Sequence, residues 1–320
     1  MARLLEEKVR HMYEAAPYPD LGVDLKDMSS YWPHIASVVN RNEVNYLDAG
    51  CGTGHILVAS ARCFPRWRSY GMDLSRSSLD IADKLSKKHG TPVTLYQGSY
   101  LDPNPFGIQF DIISAMGTVH HAESPPDALK NLASWLKPEG VMLLGLYGRR
   151  CDAEKFDIKE ALSLLQPDLS AHCERFDLYQ QLISHKKRRR PVWKRLLLMS
   201  VVDVYFELKT RLRNVRRRAR KISWSPPWTS EYKKISSPWI DHFCHPCEHA
   251  YEVPEVKSLV EGAGLKPIKM LGQGIEHPRL VPREWRRRYD QLDFWEKARM
   301  NELLADGGGS FNMILARLVQ

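Results

Sequence analysis

The sequence predicts an α/β protein, a largely parallel sheet with helical crossovers, interrupted after its fifth strand by a large insertion. Residues 44–148 alternate short apolar runs with amphipathic stretches, and the same rhythm resumes near residue 254. Between them lies a block of roughly a hundred residues without it. A length of 320 residues with 43% hydrophobic residues and nine tryptophans is enough for a sizeable core and excludes a solvated, coreless chain.

The elements follow in order. "VNYLDAG" (44–50) is an apolar run closed by glycine, read as the first strand, and "HILVASARCFP" continues at helical spacing. "RSYGMDLS" (68–75) is the second strand and "SSLDIADKLSKKHG" a helix stopped by its glycine. "PVTLYQGS" is the third strand, and "FDIISAM" the fourth, opening onto "GTVHH". "SPPDALKNLASWLKPEG" reads as a helix bounded by proline and glycine, and "VMLLGLYG" as the fifth strand. Late in the chain, "PEVKSLVEGAGL" (254–265) is a helix, and "KPIKMLGQG" and "SFNMILARLV" (310–319) are strands. The expected organisation is an N-terminal segment 1–43, a core 44–148, an insertion 149–250 and a completion of the core over 251–320.

Charge is localised. Lys186 to Lys221 hold fifteen basic residues against two acids, Asp203 and Glu207, a balance of +13. With +9 for the whole chain, the remainder is 9 − 13 = −4, a mildly acidic body carrying one basic element. Six irregularly spaced cysteines and an N-terminus without an apolar, cleavable core point to a reducing cytoplasm. No run of 18 apolar residues is present to span a membrane.

The sharpest motif is "YLDAGCGTGH" (46–55), a glycine-rich turn leaving a strand and opening a helix, where missing side chains let a ligand approach the backbone. Asp73 follows 19 residues after Gly54, at the end of the second strand, where a carboxylate accepts hydrogen bonds from ribose hydroxyls. The spacing is Gly50, Gly52, Gly54, with Asp48 just before. That acid opposes a pyrophosphate and suits a cationic nucleoside such as S-adenosylmethionine.

With "LDAGCGTG", "GMDLS", "FDII" and "LKPEG" in this order, the chain resembles the class I S-adenosylmethionine-dependent methyltransferases. The resemblance implies a Rossmann-like seven-stranded sheet whose last strand, "SFNMILARL", runs reversed beside the sixth. The large insertion leaves the fifth strand and returns to the same rim, so a mainly helical cap over the pocket is expected. It implies cofactor contacts from Asp48, Gly50, Gly52, Gly54, Asp73, Leu74 and Met116. Ser99 stands near the adenine where the family often has an acid, and Tyr13, with Tyr18, is offered by the N-terminal segment.

Reactive crevices in such sheets lie beyond the carboxyl ends of the strands. His120 and His121 follow the fourth strand onto that rim, and His121 is a candidate base. "DHFCHPCEH" (241–249) returns from the insertion to the same rim, offering Asp241 and His245. Cys244 and Cys247 have a zinc-knuckle spacing, but Cys151, Cys173, His242 and His249 complete no regular second pair, so no metal is expected. Pro246 argues against a redox helix start. The basic stretch 185–221 packs on the body, lies on an anionic membrane or binds RNA. The expectation is a methyltransferase, cytoplasmic or peripheral at a membrane, acting on O, N or S of a small or lipid-like acceptor without an obligate protein partner. The alternatives are a tRNA or rRNA methyltransferase and a non-catalytic scaffold of the same fold.

Overall fold

The computed structural model describes residues 2–19, 35, 39, 43–150, 152–189, 235–271, 281–304 and 311–319. The strands are β1 (Asn45–Ala49), β2 (Arg68–Asp73), β3 (Val93–Gln97), β4 (Phe110–Met116), β5 (Leu136–Tyr147), β6 (Leu265–Met270) and β7 (Phe311–Leu318). They form one seven-stranded sheet in the order β3-β2-β1-β4-β5-β7-β6. The first five pair in parallel, and β7 runs antiparallel to both β5 and β6, as the resemblance implied. The order reverses at β1, whose carboxyl end therefore opens a crevice.

Helices α1 (Ala2–Ala15), α2 (His55–Cys63), α3 (Arg76–His89), α4 (Pro125–Ser134), α5 (Ala153–Leu165) and α6 (His172–Arg189) precede α7 (Ser237–Cys244), α8 (Val253–Gly262), α9 (Arg286–Gln291) and α10 (Phe294–Leu304). The two-residue strand period sends neighbouring side chains to opposite faces. Leu47 and Ile113 enter one buried cluster with Leu129, Leu132, Val256 and Val260 of α4 and α8. Tyr46 and Ile112 enter the other with Leu57 and Leu79 of α2 and α3.

One element differs from its sequence pattern. The helix expected to run to Gly140 ends at Ser134, and Leu136 already pairs with Phe110 in β5. Pro138 disfavours helix in the residue before it, and Glu139, at φ 64°, lies inside the resulting register shift. The N-terminal segment, for which the sequence reading gave no element, begins as helix α1. The Glu14 carboxylate accepts hydrogen bonds from the backbone N–H groups of Arg76 and Ser77, satisfying free donors in the first turn of α3.

Contacts divide the chain into two compact units, Met1–Lys159 with Ser237–Gln320, and Glu160–Ser236. The expected insertion, 149–250, thus shares its first and last residues with the core unit. In the second unit Arg175 is fully buried and donates to Gln166 O and to Ser163 Oγ at 3.3 Å. The basic stretch from residue 190 to 221, and Cys151, lie outside the described residues.

Candidate active site

Beyond the β1 carboxyl end the chain turns sharply, and Gly50 and Cys51 donate to Met72 O at 2.8 and 3.0 Å. Gly52 sits at φ 51°, and a Cβ there would lie 2.3 Å from Tyr18 O, so only glycine lets the segment ending α1 cross this turn. That crossing is latched by Thr53, whose N–H donates to Tyr18 O and whose hydroxyl donates to Pro19 O. Asp73 accepts from Gly52 N–H at 2.8 Å and Ser75 N–H at 2.9 Å, and burial raises its pKa to about 6. Asp48 accepts from Ser114 Oγ at 2.5 Å; burial, with Asp73 adding to it, raises its pKa to about 7.

A cavity of about 350 Å³ begins between these groups, lined by Asp48, Gly50, Gly52, Asp73, Leu74 and Gly98, and continues past Met116 to Tyr13, Tyr18, His121 and Asp241. Three expected contacts do not line it. Gly54, at φ 82°, faces α3, where a Cβ would meet that of Ala82 at 2.6 Å, so this glycine serves helix packing. Ser99 turns its hydroxyl to Glu6 and to the Leu101 N–H, and Gly98, Tyr100 and Leu101 line the wall instead. His245 is buried behind His121, the two rings stacked at 3.7 Å and 22°.

The far end is built around Asp241, on α7 and 2% exposed. Tyr13 of α1 donates to its Oδ1 at 2.5 Å, and Tyr147, ending β5, donates to its Oδ2 at 3.2 Å. One residue, Cys247, sets both neighbouring imidazoles. Its carbonyl accepts from His121 Nδ1 at 2.9 Å, and its N–H donates to His245 Nδ1 at 3.1 Å. In the neutral rings, Nε2 of His121 therefore bears the lone pair and Nε2 of His245 bears the proton. Burial lowers the pKa of His121 and holds that of His245 well below the ordinary value. His121, Asp241 and His245 each bring one donor atom within 4.8 Å of the others, a group of metal-ligating type. The cysteines take no part in it. Cys247 Sγ contacts Ala122 O at 3.4 Å and His249 Nε2 at 3.6 Å, and Cys244 is buried at the end of α7.

Residues 47–142 match the family described as a methyltransferase domain. The chain is 31% identical over 105 residues, 32% of this chain and 38% of the relative, to the malonyl-[acyl-carrier protein] O-methyltransferase of Halalkalibacterium halodurans. PKMT2 from Rickettsia typhi in complex with AdoHcy shares the fold at a TM-score of 0.62 and 16% identity, over 90% of this chain and 53% of that one. Residues 47–142 thus carry a methyltransferase domain, and the fold is that of the class I S-adenosylmethionine-dependent methyltransferases. An uncharacterized protein of Synechococcus sp. is 26% identical over 276 residues, 85% of this chain and 60% of the relative. The chain therefore spans between a third and two thirds of the length of these relatives.

Several residues of the site carry no sequence motif. Tyr147 ends β5 on the rim where the strand-end rule looks for reactive groups, yet nothing in "LLGLYG" marks it. Leu5, Glu6 and Val9 line the cavity from α1 at helical spacing, a periodicity visible only once that stretch is read as a helix. His120 is fully buried, its ring 4.1 Å from that of Tyr147, and belongs to the packing behind the site. Glu248, which follows Cys247 in the chain, is held by Lys155 at 2.7 Å and Lys159 at 2.5 Å. Those two ion pairs tie α5 to the 245–249 turn.

Proposed function

We propose that the chain transfers a methyl group from S-adenosylmethionine to an oxygen, nitrogen or sulfur of a small or lipid-like molecule. The observation that carries this reading is one continuous cavity running from Asp73 at the end of β2 to His121 and Asp241. The residues fit the cofactor. Asp73 retains acceptor capacity for a ribose beside its two backbone bonds, Gly50 and Gly52 leave the turn bare, and Asp48 suits a cationic group. When bound, S-adenosylmethionine supplies an electrophilic methyl carbon on a sulfonium, open to in-line displacement.

The protein's own part is position, dryness and proton acceptance. Leu5 and Val9 of α1, with Leu101 and Leu143, provide apolar walls that keep water away and suit an apolar acceptor body. His121, neutral near pH 7 because burial lowers its pKa, presents the Nε2 lone pair to a proton of the acceptor.

Calorimetric titration with S-adenosylhomocysteine tests the cofactor. Binding is expected, with about tenfold or greater loss in Asp73→Ala, since a charge-assisted hydrogen bond contributes ~1.5–3 kcal/mol. Identical behaviour of both proteins would sink the reading. Mass spectrometry of molecules gaining one methyl in a lysate supplied with labelled cofactor identifies the acceptor. Salt-sensitive methylation of RNA there would overturn the acceptor class.

A further inference from the structure

The nature of the acceptor can be drawn further from the charge of the cavity, and this step rests on the methyltransferase reading above. The described lining carries five carboxylates, Glu6, Asp48, Asp73, Glu123 and Asp241, with His55 and His121, and no Lys or Arg. Asp73 is met by two backbone N–H groups, Asp48 by Ser114 and Glu6 by Ser99, all near the cofactor end. Glu123 is exposed to solvent.

Asp241 is different. It is buried and receives only the uncharged hydroxyls of Tyr13 and Tyr147, with no Lys or Arg paired to it among the described residues. Lys155 lies over the Tyr147 ring at 3.4 Å, outside the cavity lining, and is paired with Glu248 at 2.7 Å. Neutral donors satisfy the lone pairs of a buried carboxylate without balancing its charge, and an unbalanced buried charge is costly. The position selects a cation arriving from the cavity. Tyr13, Tyr18 and Tyr147 around it add aromatic rings, which favour an organic ammonium over an anion.

We propose that the acceptor is a basic amine, docked as its ammonium against Asp241 and methylated on nitrogen. The ammonium passes one proton to Nε2 of His121, whose imidazolium is formed beside the Asp241 carboxylate. The freed nitrogen lone pair forms the N–C bond to the methyl carbon as the C–S bond breaks, its electron pair staying on sulfur. The products are a methylated ammonium, a neutral thioether and an imidazolium that returns its proton to water. The charged groups acting on His121 are Asp241 from α7, Glu248 from the following turn and Lys159 from α5; the two acids favour its protonation and the lysine opposes it.

A divalent metal is the competing cation, because His121, Asp241 and His245 lie within 4.8 Å of one another. Coordination by both imidazoles through Nε2 requires a lone pair on that atom of His245, whereas the Cys247 N–H holds the lone pair at Nδ1. Building the metal site breaks that hydrogen bond; docking an amine keeps it.

The test uses the full chain saturated with S-adenosylhomocysteine, so that the amino group of that ligand is already seated. Hexylamine, hexanol and hexanoate share one apolar body and differ in charge. By ligand-observed magnetic resonance or calorimetry, hexylamine is expected to bind about tenfold or more tighter than either other probe. Asp241→Asn is expected to erase that preference, with its thermal midpoint and its S-adenosylhomocysteine affinity checked alongside. Equal binding of the three probes, a preference for hexanoate, or no detectable hexylamine binding overturns the proposal. So does retention of the preference in folded Asp241→Asn, a loss confined to S-adenosylhomocysteine affinity in that variant, or stoichiometric Zn²⁺ binding that displaces hexylamine. Failure of the wild-type protein to bind S-adenosylhomocysteine strikes the methyltransferase reading instead, so the two failures are told apart.

Discussion

Replacing Gly54 by alanine tests whether this glycine serves packing or the ligand. Its φ of 82° is left-handed, and holding an L-residue there costs about 1–2 kcal/mol. The new Cβ would lie 2.6 Å from the Ala82 Cβ and 3.0 Å from its Cα, so α2 and α3 must part. Overpacking of this kind costs about 1–3 kcal/mol, and together the two effects destabilise Gly54→Ala by about 2–5 kcal/mol. Ala82→Gly alone costs about 1 kcal/mol of helix propensity, but it removes the obstructing methyl. In the double variant the packing part, about 1–3 kcal/mol, should return relative to simple addition while the backbone part remains. Urea unfolding followed by tryptophan fluorescence measures the three midpoints at matched slopes. S-adenosylhomocysteine affinity of folded Gly54→Ala should stay within about threefold of the parent, since Gly54 does not line the cavity. Additivity within ~0.5 kcal/mol, or an unshifted Gly54→Ala midpoint, refutes the packing assignment.

Other outcomes follow from the same geometry. Glu248→Gln should destabilise the protein by up to about 3–5 kcal/mol, because it leaves Lys155 and Lys159, 11% and 16% exposed, facing an uncharged group. Burial alone would raise the Glu248 pKa, but Lys159 and Lys155 outweigh it and hold the value below 4.5. Its stabilisation is therefore fully present above pH 4.5 and fades as pH falls through the lower folded value, so the gap between parent and variant should narrow in acid denaturation scans. S-adenosylhomocysteine affinity should weaken as pH drops below about 6, where Asp73 takes up a proton; a flat affinity from pH 7.5 to 5 in calorimetry would contradict the role of its carboxylate. Glu14→Ala removes the acceptor for the Arg76 and Ser77 N–H groups and should cost about 1 kcal/mol, with increased proteolysis at α1 as the local readout.

The glycine turn, Asp73 and the rim position of His121 were legible because each lies within one β-turn-α step. There, strand period, glycine and the spacing of the acid are all local signals. The same local rules misread "LKPEG" as a helix end, since sheet pairing of Leu136 with Phe110 decides that stretch. They also assigned Gly54 to the ligand, because a glycine needed against a distant helix has the same letter as one needed against a cofactor.

The acceptor end was legible only in part. "DHFCHPCEH" supplied the right residues, but Asp241 and His245 proved to have separate tasks, one on the cavity wall and one stacked behind His121. The sequence by itself determined the parallel sheet, the cofactor turn and the chemical types at the rim, because these rest on periodicity and short spacings, while the reversed last strand was implied by the family resemblance. Only the tertiary structure decided that Tyr13, Tyr147 and Asp241 meet, across separations of 228 and 94 residues, and that the backbone N–H and C=O of Cys247 orient two imidazoles. Contacts between elements so far apart in the chain leave no periodic trace along it. They exist only once the sheet order brings the end of β5, the end of α1 and α7 to the same rim.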